Sequence, residues 1–453
     1  MTDPYDLVVR SSSAYIDGAF RPAALAVTSG LIVAVGEVDA PFSAARDITL
    51  PPTQVLIPGI VDTHVHVNEP GRTDWEGFAS ATLAAAAGGV TTIIDMPLNS
   101  IPPTTTPEAL ALKRQAAARQ ASVDVGFWGG AIPASLGHLE PVHEAGVFGF
   151  KSFLSPSGVD EFPHLSTEQL HEALAEVARF DGLLIVHAED PTVLAAHENA
   201  GGVGYEDFVA SRPGSAEKSA IEHVIDGLRV TGARAHILHL SSAAALPIIR
   251  AARAEGLRLT VETCPHYLSF AAEGIPDGAT QYKCCPPIRD EANRELLWQA
   301  LLYGDIDLIA SDHSPSTREL KLGHGGDFGL AWGGISGLQV SLPAVWSAAR
   351  ALGIGLDRVV EWMSGSTSRL VNLPAKGSLT AGTDADFVAF APDETFTVIA
   401  SELQHKNKLT AFEGSDLHGV VHTTWLRGTP VFSVDDTDHV VPLHGELLSR
   451  STP

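Results

Sequence analysis

A pair of histidines one residue apart, His64 and His66, follows an apolar run and is a candidate for binding a metal ion. Residues two apart on a β-strand point to the same side, so both imidazoles can face one cation. Three later apolar runs also end in residue types that bind divalent metals, namely His187, His239 and Asp312. Each is weak evidence alone, because such residues are more often structural histidines or helix caps. Together the five residues predict a metal site.

Lys151 stands in an apolar run between Phe150 and Phe153. A buried ammonium group is unfavourable unless it is neutralised or paired. One interpretation is a lysine at a strand end that extends its charged head to solvent. The other is a lysine whose amine has reacted with carbon dioxide to give a carbamate, an anion with two oxygens that could bridge two cations.

This set of residues predicts a particular chemistry. Two metal ions a few ångströms apart can activate a bridging water as hydroxide and polarise a carbonyl group. Asp312 is then the candidate catalytic residue, because it could accept a proton during attack and donate it to a leaving nitrogen. No Gly-x-Ser-x-Gly nucleophile motif is present. The sequence therefore predicts amide hydrolysis by a metal-bridging hydroxide, without a protein nucleophile.

These residues need strands that bring them to one place, and the middle of the chain supplies candidates. Short apolar runs alternate there with helical patterns, which is typical of parallel βαβ units. The eight candidate strands are residues 60–66, 91–96, 123–127, 149–153, 183–187, 235–239, 259–263 and 306–312. The helical patterns between them include residues 107–119, 168–180, 216–231 and 292–303. Eight repeats favour an α/β fold of the (β/α)₈ TIM-barrel type, with catalytic residues at the carboxyl ends of the strands.

A doubly wound open sheet is the alternative, although no Gly-x-Gly-x-x-Gly follows the first strand. Short strand and turn signals fill both ends of the chain. We therefore expect residues 1–57 and 376–453 to form a small β-sandwich beside a barrel of residues 58–375.

Composition excludes several classes of partner. Lys and Arg total 29 against 54 Asp and Glu, which gives a net charge of −25. This charge repels nucleic acid and anionic membranes, so neither is an expected partner. The three cysteines, Cys264, Cys284 and Cys285, do not form a disulfide framework and fit a reducing compartment. The N-terminus has no long apolar core, and no long apolar stretch predicts a membrane span, so we expect a cytoplasmic protein.

Longer motifs carry a resemblance to a known family. Residues 58–66 (Pro-Gly-Ile-Val-Asp-Thr-His-Val-His) and 382–386 (Gly-Thr-Asp-Ala-Asp) resemble the cyclic amidohydrolases of the amidohydrolase superfamily, and the resemblance spans nearly the whole chain. That family includes dihydroorotases, dihydropyrimidinases, hydantoinases and allantoinases. The resemblance implies two divalent metal ions, usually zinc, a carbamylated lysine that bridges them, and often a homotetramer. The ligands that it implies are His64, His66, Lys151, His187, His239 and Asp312.

Further motifs concern the substrate. Dihydroorotases usually carry an arginine two residues after the second histidine to hold a substrate carboxylate, and here that position is Asn68. Arg72 lies four residues further on and is better suited to supporting its loop. Residues 73–78, 95–104 and 150–158 are similar to allantoinases, and the loop after Lys151 lacks the tyrosine of dihydropyrimidinases. The resemblance implies hydrolysis of the hydantoin ring of allantoin to allantoate.

The expected substrate contacts are Asn68, Asn99, Cys285 and Gly333. Cys285 and Gly333 lie in motifs whose backbone meets the substrate ring in that family, and a cyclic ureide offers alternating N–H and C=O groups to a backbone. The two asparagines could bind the ureido part or the ring, or they could instead cap their loops. His266, in a motif similar to the strand-seven signature of the family, is expected to be structural or to support the ligands.

Two alternatives stay open. The chain could be a dihydroorotase or a hydantoinase (dihydropyrimidinase), which turnover of allantoin, dihydroorotate and dihydrouracil would separate. It could also be a scaffold relative without catalysis, although such relatives typically lose ligands and this chain keeps them. The remaining histidines are expected to be surface or structural residues. His236 and His313 lie near predicted ligands, but on a strand they would point away from His239 and Asp312.

Overall fold

The computed structural model describes residues 5–435 and 443–450. Its strands, in chain order, are β1 (Tyr5–Ile16), β2 (Ala19–Thr28), β3 (Leu31–Gly36), β4 (Ala44–Thr49), β5 (Val55–Pro58), β6 (Ile60–Val65), β7 (Val90–Asp95), β8 (Asp124–Phe127), β9 (Gly129–Gly130), β10 (Phe150–Phe153), β11 (Leu183–His187), β12 (Arg234–Ile237), β13 (Arg258–Thr263), β14 (Leu308–Ile309), β15 (Phe387–Thr397), β16 (Asp416–Leu426) and β17 (Thr429–Ser433).

The α-helices are α1 (Phe78–Ala87), α2 (Pro107–Ala117), α3 (Leu139–Glu144), α4 (Thr167–Ala178), α5 (Pro191–Ala196), α6 (Tyr205–Ser211), α7 (Gly214–Thr231), α8 (Leu246–Ala254), α9 (Pro265–Ser269), α10 (Glu291–Tyr303), α11 (Arg318–Leu322), α12 (Ser341–Ala351), α13 (Leu356–Val360) and α14 (Ser366–Leu370). The expected alternation of strands and helices in the middle of the chain is confirmed, with boundaries that differ by a few residues. Among these described helices, none is long and apolar enough to span a membrane.

Strands from both ends of the chain pair in one sheet. Its order is β17-β16-β15-β5-β1-β2-β3, and β4 pairs with β1. The two ends meet where β5 runs antiparallel to β15, with Leu56 opposite Ala389. Phe387 and Trp425 are buried with their ring centres 5.2 Å apart and inclined at 40°, and they belong to an apolar core that this sheet forms for itself.

The parallel strands that carry the candidate ligands lie in two sheets. One has the order β14-β13-β12-β11-β10-β9 and the other the order β6-β7-β8. Their residues are almost entirely buried, as expected for parallel strands that are covered on both faces. A parallel bridge between Val65 and His313 connects the end of β6 to the segment after β14. A backbone hydrogen bond from Gly129 to Gly149 links β9 to the start of β10.

Two predicted strands are shorter than expected. The expectation for the sixth strand extended to His239, but β12 ends at Ile237, and the eighth stops at Ile309 rather than at Asp312. His239 has a φ of 37° and Asp312 a φ of 45°, which a strand residue cannot adopt. At His239 the apolar residues Leu238 and Leu240 continue through the turn, so the pattern of residue types does not show where that strand stops.

Helices between the strands begin at recognisable caps. Ser166 accepts a hydrogen bond from the backbone of Gln169 at 3.2 Å, and Gln169 accepts one in return at 3.0 Å, which forms a capping box for α4. Asp290 caps α10 in the same position, and Gly304 ends that helix in the left-handed conformation. The α4 helix packs against the parallel strands β11 and β12, whereas α10 packs against α9.

A buried ion cluster ties the terminal sheet to the parallel strands. Lys376 Nζ lies 2.6 Å from Asp124 on β8, 2.7 Å from Asp384 and 2.6 Å from Asp386, just before β15. Burial opposes its charge, but the three carboxylates outweigh this effect and raise the pKa of Lys376. The lysine therefore neutralises carboxylates that would otherwise repel one another in the interior.

We predict that Lys376→Met lowers the free energy of unfolding by about 3–5 kcal/mol, because it leaves buried carboxylates without their cation. Chemical denaturation measures this change. The control is Lys218→Met, which removes an exposed lysine 3.9 Å from Glu222 and should change stability by less than about 0.5 kcal/mol. Equal effects of the two substitutions would contradict the role of the cluster.

Candidate functional site

All six predicted ligands line one cavity of about 350 Å³. The side chains come from the carboxyl ends of five parallel strands, β6, β10, β11, β12 and β14, or from the turns that follow them. These residues are His64, His66, Lys151, His187, His239 and Asp312. All six are buried, so their side chains are largely removed from bulk solvent.

The first group contains His64, His66 and Asp312, whose ligand atoms all lie within 4.8 Å of one another. Asp312 Oδ1 is 3.1 Å from His64 Nε2 and 3.5 Å from His66 Nε2. His64 Nε2 is buried and makes no hydrogen bond to any residue that the structure describes. Two imidazole nitrogens and a carboxylate oxygen with converging positions are a suitable set of ligands for a divalent cation.

The second group contains His187 and His239. His187 Nδ1 lies 3.0 Å from His239 Nε2, with the two rings inclined at 73°. Burial and the neighbouring His187 hold the pKa of His239 well below its usual value, so the ring is neutral and keeps a lone pair for binding. Two imidazole nitrogens turned towards each other can share a cation as well as a proton.

Lys151 is the sixth member, and its surroundings are unusual for an ammonium group. Nζ lies 4.6 Å from the ring centre of Phe153, and in the described part of the chain it has no hydrogen-bond partner. Burial lowers the pKa of Lys151 to about 8, and the neighbouring Asp312, Glu262 and Cys264 act against this shift without outweighing it. On the order of a tenth of the amine is therefore neutral and nucleophilic at pH 7.

Fixed carboxylates orient the imidazoles. Glu262, on β13, lies 2.5 Å from His64 Nδ1 and 3.0 Å from His236 Nε2. Burial opposes ionisation of Glu262, but the two rings hold its pKa well below the usual value. Burial likewise opposes a charge on His64, but Asp312 and Glu262 outweigh it and raise the pKa of that ring to about 9. The field at this point of the cavity therefore favours a positive charge, which suits a cation.

Glu189 has the same function for His187. His187 Nε2 lies 2.8 Å from Glu189 Oε2, and Arg212 Nε donates to Glu189 Oε1 at 3.0 Å. Arg212 also donates through Nη2, so the guanidinium holds the carboxylate from two positions. Neither Glu189 nor Arg212 was predicted from the sequence. Glu262 had a usable signal, since glutamate is depleted in strands, whereas Arg212 stands in a loop that gives none.

Three of the four expected substrate contacts, Asn99, Cys285 and Gly333, line the cavity. The fourth, Asn68, is buried but is not among the lining residues, and its Nδ2 donates to the carbonyl of Pro315 at 3.3 Å. This geometry favours the loop-supporting interpretation of Asn68.

The neighbouring arginine and histidines also have partners away from the ligands. Arg72 donates to the carbonyl of Asn99 at 2.8 Å, which ties its loop to the cavity. His313 turns towards Glu76, at 3.6 Å, and His236 is held by Glu262. His266 is buried beside Cys264, and both lie close enough to Asp312 to form a further group of ligand-type atoms. Burial raises the pKa of the Cys264 thiol well above its usual value, so that sulfur stays protonated.

Comparison with known proteins gives consistent matches along the chain. A model of the amidohydrolase family matches residues 55–431. An allantoinase from Streptomyces avermitilis is 57% identical over 445 residues, which cover 98% of this chain and 99% of that protein. An allantoinase from Saccharomyces cerevisiae is 47% identical and covers 87% of this chain and 86% of its own length.

A solved structure is similar over the same extent. The L-hydantoinase (dihydropyrimidinase) from Arthrobacter aurescens superimposes with a TM-score of 0.92 at 30% identity, covering 98% of this chain and 100% of that one. The match of the family model begins at β5 and ends within β17, so it includes every strand that carries a cavity residue but not β1 to β4. This chain therefore belongs to the amidohydrolase family.

Proposed function

We propose that this protein is a metal-dependent hydrolase that opens the hydantoin ring of allantoin to give allantoate. The observation that carries the proposal is the convergence of four imidazoles, Lys151 and Asp312 on one cavity. Similarity to allantoinases along nearly the whole chain supports this choice of substrate.

The cavity residues divide into the ligands of two divalent cations, for which we propose zinc. His64 and His66 would hold one cation, and His187 and His239 the other. Lys151, as a carbamate, would bridge the two, and its unpartnered, partly neutral amine supports this assignment. Such a pair of cations lowers the pKa of a bound water and polarises a carbonyl group.

The protein's own residues would perform the remaining steps. Asp312 would accept the proton of the attacking water and deliver it to the ring nitrogen as the carbon–nitrogen bond breaks. Glu262 and Glu189 would keep the imidazoles in their binding orientation. Asn99 and the backbones at Cys285 and Gly333 would hold the ring, since they line the cavity beside the ligands.

The cavity is better suited to an uncharged ring than to a substrate carboxylate. Besides Lys151, it is lined by two cationic side chains, Arg212 and Lys283. Arg212 is paired with Glu189, and Lys283 donates to the carbonyls of Gly329 and Ala331. Because both side chains already bind groups of the protein, neither is free to bind the carboxylate of dihydroorotate. This arrangement favours allantoin as the substrate.

For the whole chain we propose the architecture that the strand pairing supports. The parallel strands of residues 58–375 would close into a (β/α)₈ barrel through the Val65–His313 bridge and the contacts of β9. Residues 1–57 and 376–453 would form a β-sandwich beside it, although residues 1–4, 436–442 and 451–453 lie outside those described. A cytoplasmic homotetramer with a small cyclic ureide as its substrate completes the proposal.

Substrate choice is testable directly. We predict that the purified protein hydrolyses allantoin with a kcat/KM at least about 100-fold above that for dihydroorotate and dihydrouracil, because Arg212 and Lys283 in the described cavity wall are already engaged within the protein. Release of allantoate and of the ring-opened products of the other two compounds is measured under one set of conditions. Turnover of dihydroorotate but not of allantoin would overturn the proposed substrate.

Metal dependence is a second test. We predict that the active protein binds about two divalent ions per chain and that a chelator abolishes activity, which zinc restores. Lys151→Met should lower the metal content, because the bridging ligand is lost, whereas Lys218→Met at the exposed pair with Glu222 should not. Full activity in a protein with no bound metal would contradict the mechanism.

The role of Glu262 is a third test. We predict that Glu262→Gln weakens metal binding by about 10–100-fold, because His64 loses the carboxylate that fixes its ring. Metal affinity is measured by competition with a chromogenic chelator. The matched control is Glu176→Gln, at a buried glutamate that accepts backbone hydrogen bonds from Gly137 and Leu139, remote from the cavity. Equal metal affinity in both variants would show that Glu262 does not support the site.

A further inference from the structure

The segment Gly329–Gly334 forms one wall of the cavity, and Gly333 differs from the residues around it. In the part of the chain that the structure describes, neither its N–H nor its C=O has a hydrogen-bond partner. The carbonyls of Gly329, Ala331, Trp332 and Gly334 all accept hydrogen bonds from lysine side chains. Gly333 is thus left with a free donor and a free acceptor at the wall of the cavity.

Lys321, on α11, takes up the carbonyls on either side of Gly333. Its ammonium group is buried and donates to Trp332, to Gly334 and, at 2.7 Å, to Lys283. These three acceptors saturate the three N–H groups of the side chain. All three acceptors are backbone carbonyls, so the side chain of Lys321 links the segment at Lys283 to the segment 332–334.

Lys283 completes the arrangement from the opposite segment. Its Nζ donates to Ala331 at 2.5 Å and to Gly329 at 3.3 Å. Its own carbonyl accepts the N–H of Gly334 at 2.9 Å as well as the ammonium of Lys321. The two lysines therefore fix both the position of the 329–334 segment and its distance from Cys285, the other backbone element in the cavity wall.

Stability alone does not account for Lys321. Burial lowers the pKa of this lysine to about 7, and none of its hydrogen-bond acceptors is a carboxylate that would compensate the desolvation of the charge. A buried charge of this kind is commonly no more stabilising than a well-packed apolar side chain. Lys321 binds the carbonyls on both sides of Gly333 and leaves the N–H and C=O of Gly333 itself free, which suggests a role in substrate binding as well.

We propose that Lys321 and Lys283 are positioning residues for substrate binding: they occupy the carbonyls around Gly333 so that its N–H and C=O are presented to the amide edge of the substrate ring. A ring amide carries an N–H beside a C=O, which is complementary to this pair of backbone groups. A Cβ at Gly333 would lie 3.7 Å from Cys285 Sγ, an ordinary contact, so the position has room for a flat ring edge. This inference rests on the proposed hydrolysis of a cyclic ureide.

The experiment compares Lys321→Met and Lys283→Met with the wild-type metalloenzyme. For both variants we expect KM for allantoin to rise at least about tenfold while kcat changes less than about threefold and the metal content stays constant, because the binding edge is displaced but the ligands are not. Amide hydrogen exchange of residues 329–334 should be faster in each variant, which is measured without any substrate. The Lys321→Arg variant, which keeps a cation and its donors, should recover part of the affinity.

Lys376→Met is the matched control, a buried lysine whose loss should lower stability without raising KM, assayed below its own unfolding temperature. An unchanged KM together with unchanged exchange in a folded Lys321 or Lys283 variant would overturn the inference. So would a parallel loss of kcat and bound metal, which indicates general damage to the fold. If Lys321→Met does not fold, Lys283→Met decides. If the wild type hydrolyses another cyclic amide instead of allantoin, the proposed substrate fails, and the same comparison on that compound still tests the lysines.

Discussion

The cavity depends on one electrostatic constraint. Several imidazoles and an amine have to be buried together while the nitrogens that face the cavity stay free of hydrogen bonds to residues outside the cavity. Glu262 and Glu189 meet this constraint for two of the rings, because they bind the nitrogens of His64 and His187 that face away from the cavity. Each carboxylate is itself fixed, Glu262 by His236 and Glu189 by Arg212. The nitrogens on the cavity side are consequently left as ligands, and their positions follow from contacts outside the cavity.

The sequence predicted the strands and the six cavity residues because both depend on short-range patterns. Apolar runs that end in histidine or aspartate show that a strand carries a polar group at its end, and parallel strands bring such ends together. The contact between Glu189 and Arg212 joins residues 23 apart, with α5 and α6 between them, and no local pattern encodes it. The turn at His239 is also hidden, because its positive φ leaves no mark between the apolar residues Leu238 and Leu240. The strands and the residues at their ends could therefore be predicted from the sequence, whereas long-range side-chain contacts and local backbone conformation could not.

Three buried lysines illustrate how the environment decides the role of one residue type. Lys376 faces three carboxylates, which raise its pKa and keep it a permanent cation in a structural cluster. Lys151 has no hydrogen-bond partner among the described residues, and burial lowers its pKa to about 8, so its amine is available for reaction. Lys321 donates to three backbone carbonyls and thereby organises the backbone, although burial lowers its pKa to about 7. Residue type alone distinguishes none of these cases.

The same reasoning explains why the cavity suits an uncharged ring. A substrate carboxylate that leaves water needs a cation with free donors, since an unpaired buried anion is strongly destabilised. Arg212 is paired with Glu189, Lys283 is bound to carbonyls, and Asn68 is turned to Pro315. A neutral ureide needs only hydrogen-bond donors and acceptors that match those along the edge of its ring. The backbone N–H and C=O of Gly333 provide such a pair. Selectivity in this cavity therefore depends less on which charged residues are present than on which of them are already paired with other groups of the protein.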